Sequence, residues 1–149
     1  MNIEGYSYIC ADSKLHYEFE SVGPNGTVLK VVQFTLIDKQ EQLFNLGLGD
    51  FDPLTNKVLD NVVTDNKDTL KVLATVGEIG RQFLNENFNF SIYFEGNTQS
   101  KNRLYRKGLN LFLEVIEQYY IINGLKEQNL KWERFNGNTE YIAFIIKNK

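Results

Sequence analysis

The sequence predicts a single α+β domain over residues 1–149, in which two amphipathic helices pack on an antiparallel-rich sheet. Three observations indicate this fold class. The chain has 149 residues, of which 42% are hydrophobic and 13% aromatic, enough to close one core. Several short segments alternate apolar and polar residues like half-buried strands, and two longer ones repeat apolar residues at helical spacing. The expected order of elements is βββ-α-β-α-ββ.

Three strands are expected before the first helix. Residues 15–20 alternate apolar and polar side chains, the period of a half-buried strand. The Gly23-Pro24-Asn25-Gly26 segment has the composition of a tight turn and predicts a return strand. The expected strands are residues 15–20, 28–37 and 43–48, followed by a loop at 51–57 and a short extended segment at 59–64.

The helices are predicted by apolar residues that recur every three or four positions. Residues 65–68 (D-N-K-D) supply capping side chains before an amphipathic segment that reaches Leu84. Residues 90–95 are expected as a strand, and residues 96–100 turn that strand into a second helix that ends near Tyr119. Asn136-Gly137 is a strong hairpin signal, so residues 130–135 and 139–146 are expected to pair with each other.

The charge is unevenly divided along the chain. The net charge of −3 argues against a general nucleic-acid coat. Residues 1–68 carry eleven acidic residues and five lysines, a net −6, and residues 69–149 carry eight acidic and eleven basic residues, a net +3. All seven aspartates lie in the first part and all four arginines in the second. This division predicts two faces of opposite potential if the two parts occupy different sides of the fold.

Several classes of chemistry are excluded by simple counts. Cys10 is the only cysteine and His16 the only histidine, so the chain can form neither an intramolecular disulfide nor a thiolate zinc site. The N-terminal residues lack a signal-peptide pattern, and the longest apolar run is too short to cross a membrane. We therefore expect a cytoplasmic protein that has no membrane contact, metal, cofactor or convergent catalytic residues.

The start of the second helix is unusually basic. Four cationic side chains crowd its first two turns, where the helix macrodipole favours acidic ones, and three of them share one outward face with an asparagine. They predict a site for an acidic protein partner, or for a phosphate or carboxylate at the preceding turn. The alternative is a solvated face that pairs with Glu114, Glu117 or the acidic N-terminal half of the chain. The residues of this site are Thr98, Lys101, Arg103, Arg106, Lys107 and Asn110.

Asn66, Asp68 and Tyr105 are secondary candidates. Asp68 lies before the first helix, where capping is favoured over acid–base chemistry; it would face Arg103 if both helix N-termini open on one edge. Tyr105 falls on the apolar arc of the second helix, where a core position is favoured over a chemical role. Trp132 and Phe135 are likewise expected in the core and not on a base-stacking surface.

Four blocks of sequence carry a family resemblance. They are N-L-G-L-G-D (45–50), D-N-K-D-T-L-K-V-L-A-T-V (65–76), G-N-T-Q-S-K-N-R-L-Y-R-K-G (96–108) and W-E-R-F-N-G-N-T-E-Y-I-A-F (132–144). From about residue 15 onward the chain resembles an uncharacterised family of small Bacteroidota proteins with NLxxGD, NxDxxKVLATV, GxTxxxxRLY and WExF blocks. The resemblance implies no established activity, but it implies that Asp68, Thr98, Arg103 and Tyr105 match motif positions. Asn97 and Lys101 depart from it, standing where the family pattern has serine and its first arginine; lysine cannot replace a bidentate arginine contact.

The leading functional expectation is a non-catalytic interaction or regulatory protein. Its expected setting is a conflict between host and mobile elements, as an antitoxin-like partner or a phage-type inhibitor of a host defence nuclease such as an anti-CRISPR. One alternative is a phosphate- or nucleotide-binding protein or enzyme that uses the turn at Gly96–Thr98 together with Arg103. A second alternative is an RNA-binding accessory protein that uses the same basic helix.

Overall fold

A computed structural model of the chain describes residues 3–60 and 66–149. Within these residues it has two helices and a nine-stranded sheet, which confirms the predicted α+β class. The strands are β1 (Ile9–Cys10), β2 (His16–Gly23), β3 (Gly26–Asp38), β4 (Leu43–Asp52), β5 (Lys57–Leu59), β6 (Ser91–Phe94), β7 (Tyr120–Lys126), β8 (Trp132–Arg134) and β9 (Tyr141–Asn148). The helices are α1 (Thr69–Glu86) and α2 (Gln99–Tyr119). No helix of the described chain is both long and apolar enough to cross a membrane.

The sheet is mostly antiparallel, with one parallel pair. Its strand order is β1-β2-β3-β4-β6-β9-β7-β8, and β5 pairs with β4 at one end. β4 and β6 run parallel, and β9 lies antiparallel between β6 and β7. Strands β4, β6 and β7 therefore share one direction, and α1 and α2 make the two crossovers between them, as parallel strands require. Both helices consequently begin at the same end of the sheet.

The core lies between the helices and one face of the sheet. Buried side chains alternate along the strands, as at Ile92 and Phe94 of β6, so that one face of each strand is apolar. Phe83 of α1 stacks on Phe34 of β3 with ring centroids 3.9 Å apart and meets Phe44 of β4 edge-on. Such aromatic pairs add about 0.5–1.5 kcal/mol beyond the burial of their area, which fixes α1 across β3 and β4.

The two differently charged parts of the chain occupy different sides of the fold. Strands β1–β5 come from the acidic first part and form one half of the sheet. Strands β6–β9 and helix α2 come from the basic second part and form the other half. The charge division therefore separates the two halves of the sheet from each other along the strand order.

The predicted hairpin at the end of the chain is wrong. β8 pairs with β7, and β9 pairs with both β7 and β6, so β8 and β9 are not neighbours. The intervening strand β7 was not predicted; it starts directly after α2 and contains Asn123-Gly124, which has the composition of a turn. Gly124 is required there for packing, since a Cβ atom would lie 2.5 Å from the Tyr141 ring.

Three further expectations concern a loop, an extended segment and two residues expected in the core. The predicted loop at residues 51–57 is instead the tight turn of a hairpin, because β4 continues to Asp52 and β5 begins at Lys57. Of the extended segment expected at 59–64, residues 61–64 lie outside the described residues. Trp132 is 43% exposed and not part of the core, whereas Phe135 is buried at 6% exposure, as expected.

Candidate functional site

The turn before α2 is closed by its own hydrogen bonds. Thr98 is the N-cap, and its Oγ1 accepts from the backbone N–H of Lys101 at 3.1 Å. The side-chain oxygen of Asn102 accepts from the backbone N–H of Gly96 at 2.7 Å. Gly96 packs so closely on the helix that a Cβ atom would lie 2.4 Å from the backbone nitrogen of Asn102. Two of the amide groups that an anion could use are therefore already occupied.

Lys101 does not lie on the basic surface, which corrects the expectation that it binds a partner or an anion. Its side chain points into the protein, and the residue is only 4% exposed. Its ammonium group donates to the carbonyl oxygens of Leu48 and Asp60. Burial lowers the pKa of Lys101, and the carboxylates of Asp60 and Asp50 partly offset this effect. The residue thus ties the first turn of α2 to β4 and to the segment after β5.

A buried ion pair beside Lys101 was missed by the sequence reading. Lys30 of β3 and Asp50 of β4 are directly paired in the sheet, and Lys30 Nζ lies 2.6 Å from Asp50 Oδ1. The sequence could have indicated this pair. Lys30 is two residues before the apolar Val32, and residues two apart in a strand lie on the same face, here the inward one. A charged residue at such a position needs a buried partner.

Two of the expected site residues lie next to the loop before β9. Arg106 forms an ion pair with Glu140. The side-chain oxygen of Asn110 lies close to Gly137, where a Cβ atom would be 2.4 Å from it. This part of the helix face is therefore packed against the chain. The expected pairing with glutamates of α2 itself is not among the described ion pairs.

Arg103 and Lys107 form the open part of the basic face. Both side chains are exposed, and they are four residues apart on α2. Within residues 3–60 and 66–149, neither lies within ion-pair distance of a carboxylate. We name Arg103 and Lys107 the α2 basic pair. It is the part of the predicted site that remains available to another molecule.

Tyr105 is a core residue. It is 6% exposed, and its ring meets Phe94 edge-on with centroids 5.2 Å apart. Burial raises the pKa of its hydroxyl group, so the group is neutral at physiological pH. The core interpretation of Tyr105 is confirmed.

Asp68 is at the N-cap position of α1, but its side chain makes no capping hydrogen bond. The carboxylate instead accepts from the hydroxyl groups of Tyr6 and Ser21, each at 2.6 Å. The capping prediction is therefore wrong, since the Asp68 carboxylate accepts from side chains distant in sequence and not from the backbone of α1. The described partners of Asp68 do not include Arg103, so the expected pairing of these two residues is not observed.

Asn66 is a buried link between the β2–β3 hairpin and α1. Its side-chain oxygen accepts from the backbone N–H of Asn25 at 2.7 Å, and its NH₂ group donates to the carbonyl oxygen of Gly26 at 2.9 Å. The NH₂ group also contacts the side chain and carbonyl of Ser21. These contacts assign Asn66 a structural role.

Together, the fold and the site define a small α+β protein with two exposed bases on its second helix that form no ion pair among residues 3–60 and 66–149. Comparison with protein families matches residues 2–149 to "Family of unknown function (DUF6934)". The chain therefore belongs to that family. Neither the curated proteins nor the solved structures include a match to it.

Proposed function

We propose that this protein is a non-catalytic interaction protein that docks the α2 basic pair on an acidic surface of a larger partner protein. One observation carries the proposal: Arg103 and Lys107 are exposed at the start of α2 without a described ion pair. Arg106 and Asn110 continue the same face, where Arg106 pairs with Glu140 and Asn110 lies beside Gly137, both in the loop before β9.

The arrangement has an energetic cost in the free protein. Like charges four residues apart destabilise a helix by about 0.2–0.5 kcal/mol. Arg103 and Lys107 are the fifth and ninth residues of α2, beyond the first turn in which the macrodipole acts most strongly. An acidic partner surface removes the repulsion between the two bases and also steers the encounter between the two proteins.

The alternative of a phosphate- or nucleotide-binding site at the Gly96–Thr98 turn has less support. Thr98 and Asn102 occupy two of the amide groups of the turn, and Lys101 is turned inward. Tyr105 is in the core and cannot orient a substrate. This alternative predicts that a nucleotide panel raises the melting temperature, whereas the interaction proposal predicts that it does not.

The biological setting is part of the proposal. Stoichiometric binding suits an antitoxin-like protein, or a phage-type inhibitor of a host defence nuclease such as an anti-CRISPR, because both act without turnover. A cytoplasmic location and a source in the Bacteroidota complete this picture. Its support comes from the composition and the resemblance of the four sequence blocks.

The test compares two charge-reversed double variants in a pull-down from native host lysate, followed by affinity measurement with the purified partner. Arg103→Glu/Lys107→Glu removes the α2 basic pair. Lys39→Glu/Lys57→Glu makes the same change in net charge at two exposed lysines of the acidic half, and is the matched control. We expect the first variant to lose affinity by about 10- to 100-fold, and the control to bind as the unaltered chain does. Equal binding by both variants, or equal loss, contradicts the proposal.

A further inference from the structure

The face of the sheet opposite the helices carries an ordered set of side chains on its basic half. Tyr93, Ile145, Asn123 and Arg134 are successive partners across β6, β9, β7 and β8. Directly paired residues point to the same side of a sheet. The residues next to them along the strands, such as Ile92 and Phe94, fill the core on the other side. This row therefore lies on the face that no described helix covers.

A second row places two aromatic rings together on this face. Ala143, Leu125 and Trp132 are successive partners across β9, β7 and β8. Trp132 is 43% exposed, and its ring meets Tyr93 edge-on with centroids 6.3 Å apart. Strands β9 and β7 lie between β6, which carries Tyr93, and β8, which carries Trp132, so the two rings extend toward each other over those strands. Ala143 of β9 lies on the same face and is 0% exposed. We name Trp132 and Tyr93 the outer aromatic pair.

Cationic and amide side chains share this face with the outer aromatic pair. Arg134 belongs to the first row, and Lys147 lies two residues beyond Ile145 on the same side of β9. Both are exposed, and neither lies in a described ion pair. Asn123 follows Ile145 in the same row, and Asn45 of β4 is the parallel partner of Tyr93 on its other side. The nearest acidic group, Glu95, accepts from the Tyr93 hydroxyl at 3.1 Å. Glu133 of β8 is engaged by Lys126 and Tyr141.

We propose that this face binds single-stranded nucleic acid, with bases stacked on the outer aromatic pair and phosphates held by Arg134 and Lys147. Aromatic rings on an open sheet face, with amide groups between them and cations at the rim, are the features by which proteins bind unpaired bases. The edge-on arrangement leaves part of the Trp132 ring open to stacking. Because the whole protein has a net charge of −3, the binding is expected to be weak and to fall steeply with salt.

This surface is distinct from the α2 basic pair, which lies on the helix side of the sheet. Failure of one proposal therefore does not decide the other, because the two surfaces share no residue. A protein partner on the outer face would bury the same rings but would not require the phosphate contacts.

Trp132 is the only tryptophan of the chain, so its fluorescence reports directly on this face. We would titrate the protein with oligouridylate and with oligodeoxythymidylate of about 12 nucleotides, a length within the usual site size. The expected result is saturable quenching that weakens as salt is raised. Tighter binding of the RNA would indicate contacts to the 2′-hydroxyl group, and equal binding would indicate stacking and phosphate contacts alone. Absence of saturable quenching by both strands, even at low salt, overturns the proposal.

Variants then locate the bound strand through the anisotropy of a labelled oligonucleotide. Tyr93→Ala, Trp132→Ala and Arg134→Glu are each expected to weaken binding about tenfold or more. Trp132→Phe keeps an aromatic ring for packing and is expected to retain most of the affinity. The aromatic control is Tyr119→Ala, which removes a ring that is 64% exposed at the end of α2 and should not change binding. Loss of binding in Arg103→Glu, with Arg134→Glu unaffected, would place the strand on the helix and overturn the proposal.

Discussion

The Nζ atom of Lys101 donates a hydrogen bond to the carbonyl oxygen of Leu48 at 2.5 Å, which joins the first turn of α2 to β4. The same ammonium group donates to the carbonyl oxygen of Asp60. The charge pattern assigned Lys101 to a binding surface, but in the structure its side chain connects α2 to β4 and to Asp60. Its burial lowers its pKa because the interior disfavours the charged form, and nearby carboxylates partly restore that form.

Replacement of Lys101 by methionine is expected to destabilise the protein by about 2–4 kcal/mol. Methionine can fill the apolar part of the site, but it leaves the carbonyl oxygens of Leu48 and Asp60 without their donor. Urea denaturation measures the change. Lys107→Met is the matched control on the exposed face, where a loss within about 0.5 kcal/mol is expected. Equal stability of the two variants would show that the buried contacts contribute nothing.

The hydrogen bond between Tyr6 and Asp68 is expected to couple the N-terminal segment to the start of α1. The Tyr6 hydroxyl donates to Asp68 at 2.6 Å, and the backbone N–H of Tyr6 donates to Thr75 Oγ1 at 2.7 Å. A double-mutant cycle of Tyr6→Phe and Asp68→Ala should give a coupling of about 1–2 kcal/mol.

The control cycle for this contact pairs Asp68→Ala with Tyr8→Phe. The Tyr8 hydroxyl bonds to Gln82, further along α1, so these two changes should be additive. Coupling of similar size in both cycles would mean that the N-terminal segment responds as one unit, and not through the Tyr6–Asp68 bond.

Local sequence patterns predicted the elements but not how they pair. The apolar spacing of α1 and α2 and the alternation of β2 and β3 indicated each element correctly, because those patterns follow from the helical and strand periods. The position of β9 between β6 and β7 depends on contacts between distant residues. The turn signal at Asn136-Gly137 then gave the wrong hairpin, since β8 and β9 both pair with β7, a strand that was not predicted.

The candidate site was predicted from a cluster of basic residues. That prediction was correct for the exposed side chains but could not identify the buried one. Helical spacing placed Arg103 and Lys107 outward, as the structure shows. The same spacing could not show that Lys101 reaches carbonyl oxygens of β4, because that contact depends on the crossover. Trp132 was expected in the core because the sequence does not reveal which face of the sheet the helices leave open.

Two glycines near helices should respond oppositely to alanine. At Gly96 a Cβ atom would lie 2.4 Å from the backbone nitrogen of Asn102, so the turn must shift to accept alanine. Gly96→Ala is therefore expected to lower the free energy of unfolding by about 1–3 kcal/mol. At Gly77 of α1 a Cβ atom would meet nothing within 4 Å. Gly77→Ala is therefore expected to stabilise the protein by about 0.5–1 kcal/mol. Thermal and urea unfolding of both variants measure the changes, and a gain at Gly96 would disprove the close packing of the turn.

The Arg106–Glu140 ion pair is expected to contribute little to stability. The Glu140 side chain is 71% exposed, so solvent screens the attraction. Arg106→Gln should lower the free energy of unfolding by less than about 1 kcal/mol, and the loss should shrink in high salt. A loss that is large and independent of salt would show that Arg106 acts through packing and not through its charge.

Stability is expected to fall at alkaline pH because folding raises the pKa of Tyr105 and Tyr93. Burial raises the pKa of Tyr105, and burial together with Glu95 raises the pKa of Tyr93 from 10.0 to about 12. Above pH 10 the unfolded chain loses these protons while the folded protein keeps them, so the free energy of unfolding decreases there. The lowered pKa of Lys101 acts in the opposite direction below its ordinary value of 10.5, where rising pH favours the folded state.

Tyr93→Phe and Tyr105→Phe should each flatten the decline above pH 10, because each removes a proton that only the unfolded chain gives up in that range. Replacement of the exposed Tyr119 by phenylalanine serves as the control and should leave the decline as in the unaltered chain. Lys101→Met should steepen the net decline as the pH approaches 10.5, since it removes the opposing contribution. Urea denaturation from pH 7 to 11 measures all four variants, and identical pH profiles would show that the buried hydroxyl groups and the buried ammonium group do not govern alkaline stability.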